Sequence, residues 1–83
     1  MINIWRNTDP DIDPEASMYR VQAWPIERVS RALNGGWIPE GEDVPMVSCQ
    51  DEIKPGDYLV RLFGGKVIST VRKDYFEKWF KQS

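Results

Sequence analysis

Two glycines, Gly64-Gly65, separate two alternating runs, Tyr58–Phe63 and Lys66–Val71, and this arrangement constrains the fold more than any other local feature. A two-residue glycine turn supplies the positive φ that closes a β-hairpin. With that turn Leu62 faces Val67, Val60 faces Ser69 and Tyr58 faces Val71. One hairpin face is then mostly apolar and packs inward. The other pairs Phe63 with Lys66 and Arg61 with Ile68, and is expected exposed or half covered. Upstream, Lys54-Pro55-Gly56-Asp57 places Pro and Gly where a type II turn needs them, and Val44–Cys49 reads as one more strand.

The remaining elements follow from period and punctuation. Met1–Trp5 alternates and reads as a short edge strand, followed by a polar arm, Asn7–Ala16, with Pro10 and Pro14. Tyr19–Trp24 alternates as a strand. Pro25 suits the first turn of a helix, and Ile26, Val29 and Leu33 then line one helical face, with Glu27 four residues before Arg31. Asn34-Gly35-Gly36 is expected to end that helix, and Trp37–Pro45 to be a loop. Asp74 with Glu77 matches a capping box, opening a last helix whose aromatic stripe is Tyr75, Phe76, Trp79 and Phe80. Lys78 and Lys81 near its end suit the helix dipole.

The expected fold class is therefore α+β: a small, mostly antiparallel sheet in the order strand, helix, three strands, helix, with two short helices packed against it. Residues 1–18 form an N-terminal edge strand and polar arm, and residues 19–83 a single domain. The expected core is Val21, Ile26, Val29, Leu33, Tyr58, Val60, Leu62, Val67, Val71, Phe76, Trp79 and Phe80.

At 83 residues a chain buries only about 60% of the surface that it exposes unfolded. Four Trp, three Tyr and three Phe offset this, since each ring buries about 150–250 Å². The single Cys49 precludes an internal disulfide and fits a reducing compartment. No run approaches the roughly 20 apolar residues of a membrane span, and the N-terminus lacks the pattern of a secretory signal. The expected location is the cytoplasm, without membrane contact.

Catalytic chemistry finds few parts here. The chain has no His, which removes the commonest general base and metal ligand, and no nucleophile elbow or phosphate-cradling loop. Asp9, Asp11 and Asp13 mimic the start of a calcium loop, but Pro14 stands at its glycine position and Arg20 at its bidentate glutamate. The expectation is a binding protein, not an enzyme, with no cofactor and no metal.

Two surfaces are candidates for binding. Charge is uneven: residues 1–52 hold ten acids against four bases, a balance of −6, and residues 53–83 hold three against seven, a balance of +4. For docking on a protein, the candidate contacts are the aromatics Trp5, Trp37 and Phe63, with Asp9, Asp11, Asp13, Glu40, Glu42 and Asp43 steering a basic partner. For nucleic acid, the basic-aromatic surface comprises Arg61, Lys66, Arg72, Lys73, Lys78 and Lys81, interleaved with Phe63, Tyr75 and Phe76, with Arg61, Lys66, Arg72 and Lys73 as the main candidates.

The segments Pro55-Gly56-Asp57-Tyr58-Leu59-Val60, Gly65-Lys66-Val67 and Lys73-Asp74-Tyr75-Phe76-Glu77-Lys78 resemble a group of small tailed-phage and prophage proteins. Those carry Gly-Asp-Tyr-Ile-Val, then Gly-Glu, then Lys-Pro-Asp-Ile-Phe-Glu-Lys. The likeness spans residues 55–80, fainter over 19–36. It departs at Arg72-Lys73-Asp74, which replaces Lys-Pro-Asp, and at Lys66, which replaces Glu. The resemblance implies a phage-encoded interaction protein that binds a host protein complex and inhibits or redirects it, in the manner of anti-defence or anti-CRISPR inhibitors. The alternatives are a nucleic-acid-binding accessory protein using the basic C-terminal face, and a virion or assembly component, which would self-associate.

Overall fold

The computed structural model describes residues 3–66 and 68–82, apart from the side chains of residues 16 and 17. The chain is mostly β, which corrects the expected α+β class. Its elements are β1 (Trp5–Asn7), α1 (Pro14–Met18), β2 (Arg20–Pro25), β3 (Arg28–Arg31), β4 (Trp37–Glu40), β5 (Tyr58–Leu62), β6 (Ile68–Val71), α2 (Lys73–Trp79) and β7 (Phe80–Gln82). Five strands form an antiparallel sheet in the order β6-β5-β2-β1-β7, and β3 and β4 form a separate two-stranded sheet. The N-terminal strand is β1, which starts at Trp5, where the expected edge strand Met1–Trp5 ends (its residues 1 and 2 lie outside the described ones), and it lies inside the sheet, between β2 and β7.

The hairpin β5–β6 has the register that its sequence demands: Tyr58 opposite Val71, Val60 opposite Ser69, Arg61 opposite Ile68. The expected Leu62–Val67 pair lies outside the described residues. The turn itself differs. The Gly65 amide donates to the Leu62 carbonyl at 2.8 Å, so Phe63 and Gly64 are the central pair, and Gly64 carries the positive φ of 80°.

Both faces of β5 are covered. Leu59 and Val60 point in opposite directions, yet are 0% and 6% exposed, the mark of a strand buried on both sides. On one face Val60 and Ala23 pack with Phe76 and Phe80, edged by Trp5, Tyr58 and Tyr75. On the other, Leu59 and Trp24 pack with Ile26 and Ile53, joined by Val29, Trp37, Val44 and Val47. The expectation that the second face would stay exposed or half covered fails at Leu59, because the β3–β4 hairpin and residues 44–53 lie over it.

That hairpin replaces the expected helix. Arg28–Arg31 pairs with Trp37–Glu40, a strand inside the expected loop Trp37–Pro45. Asn34-Gly35 serves the turn, with the Ala32 amide bound to the Gly36 carbonyl and the Gly35 amide to the Ala32 carbonyl. Residues that tolerate left-handed φ close a hairpin as readily as they end a helix. Leu33, expected in the core, lies at the tip fully exposed. Glu27 accepts from the Glu42 amide at 2.9 Å instead of pairing with Arg31, while Arg31 stacks 4.0 Å from the Trp37 ring. Gly36 is needed for packing: a Cβ there would sit 2.2 Å from Ser48 Oγ. Val44–Cys49 is irregular, touching β4 through one bridge, Trp37 with Cys49.

The last helix is shorter than its stripe implies. Arg72 is its N-cap, with no side-chain cap bond, so Asp74 lies within the first turn and does not cap. The carboxylate of Asp57 does that work from a distant turn, accepting from the Lys73 amide at 3.3 Å and the Lys54 amide at 3.2 Å. Phe80 turns extended, with φ −83° and ψ 132°, and carries the chain back into the sheet. Phe76 and Phe80 are buried as expected, while Trp79 is half-buried under Lys78. Leu62 is also more exposed than expected, at 36%.

Candidate functional site

The β3–β4 hairpin covers only part of its face of the sheet, and the uncovered end is basic. Residues directly opposite in a ladder point to the same face. Lys81 of β7 lies opposite Arg6 of β1, and Arg6 opposite Arg20 of β2. The row continues to Phe63, whose amide donates to the Arg20 carbonyl at 2.8 Å. Gln22 and Arg61 form the next row on that face, with Arg61 donating to Gln22 at 2.9 Å and lying 5.1 Å from the Trp24 ring.

All four side chains of the row are exposed, Phe63 at 55%. Met18 and Tyr19, which precede β2 in the chain, are exposed at 79% and 55%. Strands lie about 4.8 Å apart, which spaces the three cations over about 10 Å. Like charges directly opposite destabilise a sheet. Among the described residues the ion pair within 4.0 Å is Arg28 with Glu40, at 3.9 Å, so no carboxylate offsets the row at that range. The arrangement can hold an anionic chain across the strands with a ring to stack on.

The sequence-derived docking residues are dispersed. Trp5 is half-buried, its ring 5.0 Å from that of Phe76 and its Nε1 donating to Asn3. Trp37 is half-buried against the second core cluster. Both cover core edges, and Phe63 alone of the three aromatics is exposed.

The carboxylates of the arm serve local turns. Asp9 accepts from the Asp11 amide and Asp13 from the Glu15 amide, each at 2.9 Å, so Asp13 caps α1. Asp9 also accepts from the Tyr75 hydroxyl at 2.6 Å, and Asn7 donates to that hydroxyl at 3.2 Å. The Tyr75 bond, then the Asp11 amide, hold the Asp9 carboxyl below its usual range, and the same Asp9 bond pushes the Tyr75 hydroxyl up. Glu40 binds Ser30 Oγ at 2.8 Å besides Arg28. Glu42 and Asp43 are exposed, Asp43 at φ 60°. Together with Trp5, Trp24 and Pro25 they line a shallow groove of about 440 Å³.

The sequence-derived nucleic-acid face does not form as one surface. Arg61 lies beside the row and Lys66 follows the hairpin turn, but Arg72 and Lys73 stand beyond the other end of β6, among Glu52, Asp57 and Asp74. Lys81 belongs to the expected basic face, whereas Arg6 and Arg20 were missed, and their alternation with inward residues was the signal that could have marked them. Burial, then Asp51, push the Cys49 thiol up, so it carries little thiolate near neutral pH. Among the described residues no group of three or more His, Cys, Asp or Glu is placed to hold a metal ion, and no helix is long and apolar enough to cross a membrane. Compared with known proteins, the chain has no significant match to a family model, a curated protein or a solved structure.

Proposed function

We propose that this protein is a non-catalytic binder of single-stranded nucleic acid, working through the uncovered end of its five-stranded sheet. The observation that supports the reading is the row Lys81–Arg6–Arg20–Phe63, three exposed cations ending on an exposed ring. The cations take successive phosphates and Phe63 takes a base, a division of labour suited to a flexible strand. A duplex read in its major groove wants a protruding helix or ribbon, which a flat sheet end does not supply. The chain is acidic overall, at −2, and Asp9 lines a groove together with Arg6, but among the described residues no carboxylate lies within ion-pair distance of the three cations.

The test is fluorescence anisotropy with a labelled oligo-dT 15-mer and a duplex of the same length. Three phosphate contacts predict a log–log salt slope of about −2, a roughly 20-fold loss of affinity between 50 and 200 mM salt. Phe63→Ala should cost about 1–3 kcal/mol of binding, and the double variant Arg6→Glu/Arg20→Glu should abolish it. Equal loss from Arg72→Glu/Lys73→Glu, or equal affinity for the duplex, would sink the reading.

A second reading follows the phage resemblance: a phage-encoded inhibitor that docks on a host complex. The convergence of Trp5, Glu42 and Asp43 on one groove favours it, since carboxylates and an indole lining the same groove suit a lysine or arginine of a partner. Affinity capture from host lysate checks it. Glu42→Lys/Asp43→Lys should lose the captured partner and keep the oligonucleotide, and a partner that vanishes with nuclease instead returns the case to the first reading.

A further inference from the structure

Strand β6 is an open edge. Its outward groups follow from the phase of the ladder. The Ile26 amide donates to the Asp57 carbonyl at 2.9 Å, and the Phe63 amide to the Arg20 carbonyl at 2.8 Å. Backbone groups alternate in direction along a strand, so residues 57, 59, 61 and 63 face β2, while Tyr58, Val60 and Leu62 face β6. The partners of Tyr58 and Val60 are Val71 and Ser69. Those two point inward, and Ile68 and Thr70 turn their amides and carbonyls outward. Among the described residues no backbone bond fills that outer side.

Proteins blunt such edges with charge, proline or a bulge. Ile68-Ser69-Thr70-Val71 carries none of these, whereas the opposite edge strand, β7, carries Lys81. A groove of about 680 Å³ is lined by Lys66 and Ile68–Thr70 of the β6 edge on one side and by Val47–Asp51 on the other. Four residues of added strand, at about 3.3 Å rise, 4.8 Å spacing and 10 Å thickness, occupy about 630 Å³. The groove therefore has room for one short strand.

Charge decides the occupant. Lys66 is exposed at one end of β6 and no acid lies on the chain between Phe63 and Lys73; at the other end Arg72 and Lys73, with Lys54, stand beside Glu52, Asp74 and Asp57, whose carboxylate is held by two backbone amides. A second copy paired antiparallel, Ile68 to Thr70, would set Lys66 against Arg72 twice. Asp51 on the facing wall rejects an acid seated in the middle. We propose that the open edge of β6 receives, as a sixth strand, an extended segment of a partner protein with acidic ends and small or β-branched residues between them. Main-chain pairing supplies affinity and the end charges supply choice. This site is separate from the cation row.

The experiment is amide hydrogen exchange by NMR on the full chain, with the synthetic peptide Ac-Asp-Val-Thr-Val-Thr-Asp-amide and its lysine-ended twin. Saturation with the acidic peptide should slow the Ile68 and Thr70 amides roughly tenfold or more and leave the already bonded Ser69 and Val71 within about twofold. The lysine-ended twin should protect neither. Thr70→Pro removes only an outward amide, which an edge strand tolerates, and should abolish the titration. If that variant fails to fold, exchange in the unaltered chain decides alone. Unchanged Ile68 and Thr70 amides overturn the proposal. So does protection confined to Arg6 and Arg20, or protection that grows with protein concentration and no peptide, which would make the occupant a second copy. Loss of oligonucleotide binding in Arg6→Glu/Arg20→Glu bears on the cation row alone, so the two proposals fail separately.

Discussion

Truncating Phe76 should remove more stability than any other single aromatic change, and the structure sets the size. The ring is 3% exposed. It stacks on Tyr58 with centroids 3.8 Å apart and on Phe80 at 4.7 Å, both at 14°, and meets Trp5 at 5.0 Å and 57°. Burial and cavity effects together make Phe→Ala cost about 3–5 kcal/mol. Each aromatic pair adds about 0.5–1.5 kcal/mol beyond area. The hole lies between α2 and the sheet residues Ala23, Val60 and Phe80, which limits collapse, so about 4 kcal/mol is expected. A chain of this length has about 4–12 kcal/mol in total. With a urea slope near 1 kcal/mol/M, the midpoint should fall by about 4 M. Phe63→Ala, at an exposed ring, should stay within about 0.5 kcal/mol. Urea titrations followed by tryptophan fluorescence and far-UV circular dichroism give both numbers. Should Phe76→Ala be unfolded in buffer, Phe76→Leu supplies a milder step of about 1–1.5 kcal/mol. A Phe76→Ala shift below about 1 M, or one equal to that of Phe63→Ala, would refute the packing argument.

Two further outcomes test the polar contacts. Asp57→Ala should cost about 1–2 kcal/mol, because two backbone amides lose their acceptor, and Asp74→Ala only about 0.3–1 kcal/mol through the helix dipole; the reverse order in denaturation midpoints would restore Asp74 as the cap. Asp9 has its folded pKa lowered chiefly by the Tyr75 hydroxyl, so its stabilisation is present above the unfolded value of about 3.9 and lost as pH falls through the folded one. The stability gap between the unaltered chain and Asp9→Asn should therefore shrink from pH 7 toward pH 2, and a gap constant with pH would remove the lock between the N-terminal arm and α2.

Local chemistry determined those parts of this protein whose partners are close in sequence. Alternation on either side of Gly64 is enough to set the β5–β6 register, since a slip of one residue would turn Val60 and Tyr58 to the wrong face. The aromatic stripe likewise marks Phe76 for burial in α2 without reference to the rest of the chain. Residues 26–33 were not decidable that way. Ile26, Val29 and Leu33 satisfy a helical period, but Arg28-Val29-Ser30-Arg31 also alternates, and Asn34-Gly35 serves either ending. Tertiary structure made the choice: the exposed side of Leu59 and Trp24 needed a cover, and a hairpin carrying Val29 and Trp37 provides one. It also ended α2 at Trp79, because Phe80–Gln82 gains a full ladder with β1. The cation row was the least legible feature. Arg6, Arg20 and Lys81 come from both ends of the chain and meet only because β1 is inserted between β7 and β2, a strand order that nonlocal pairing alone dictates.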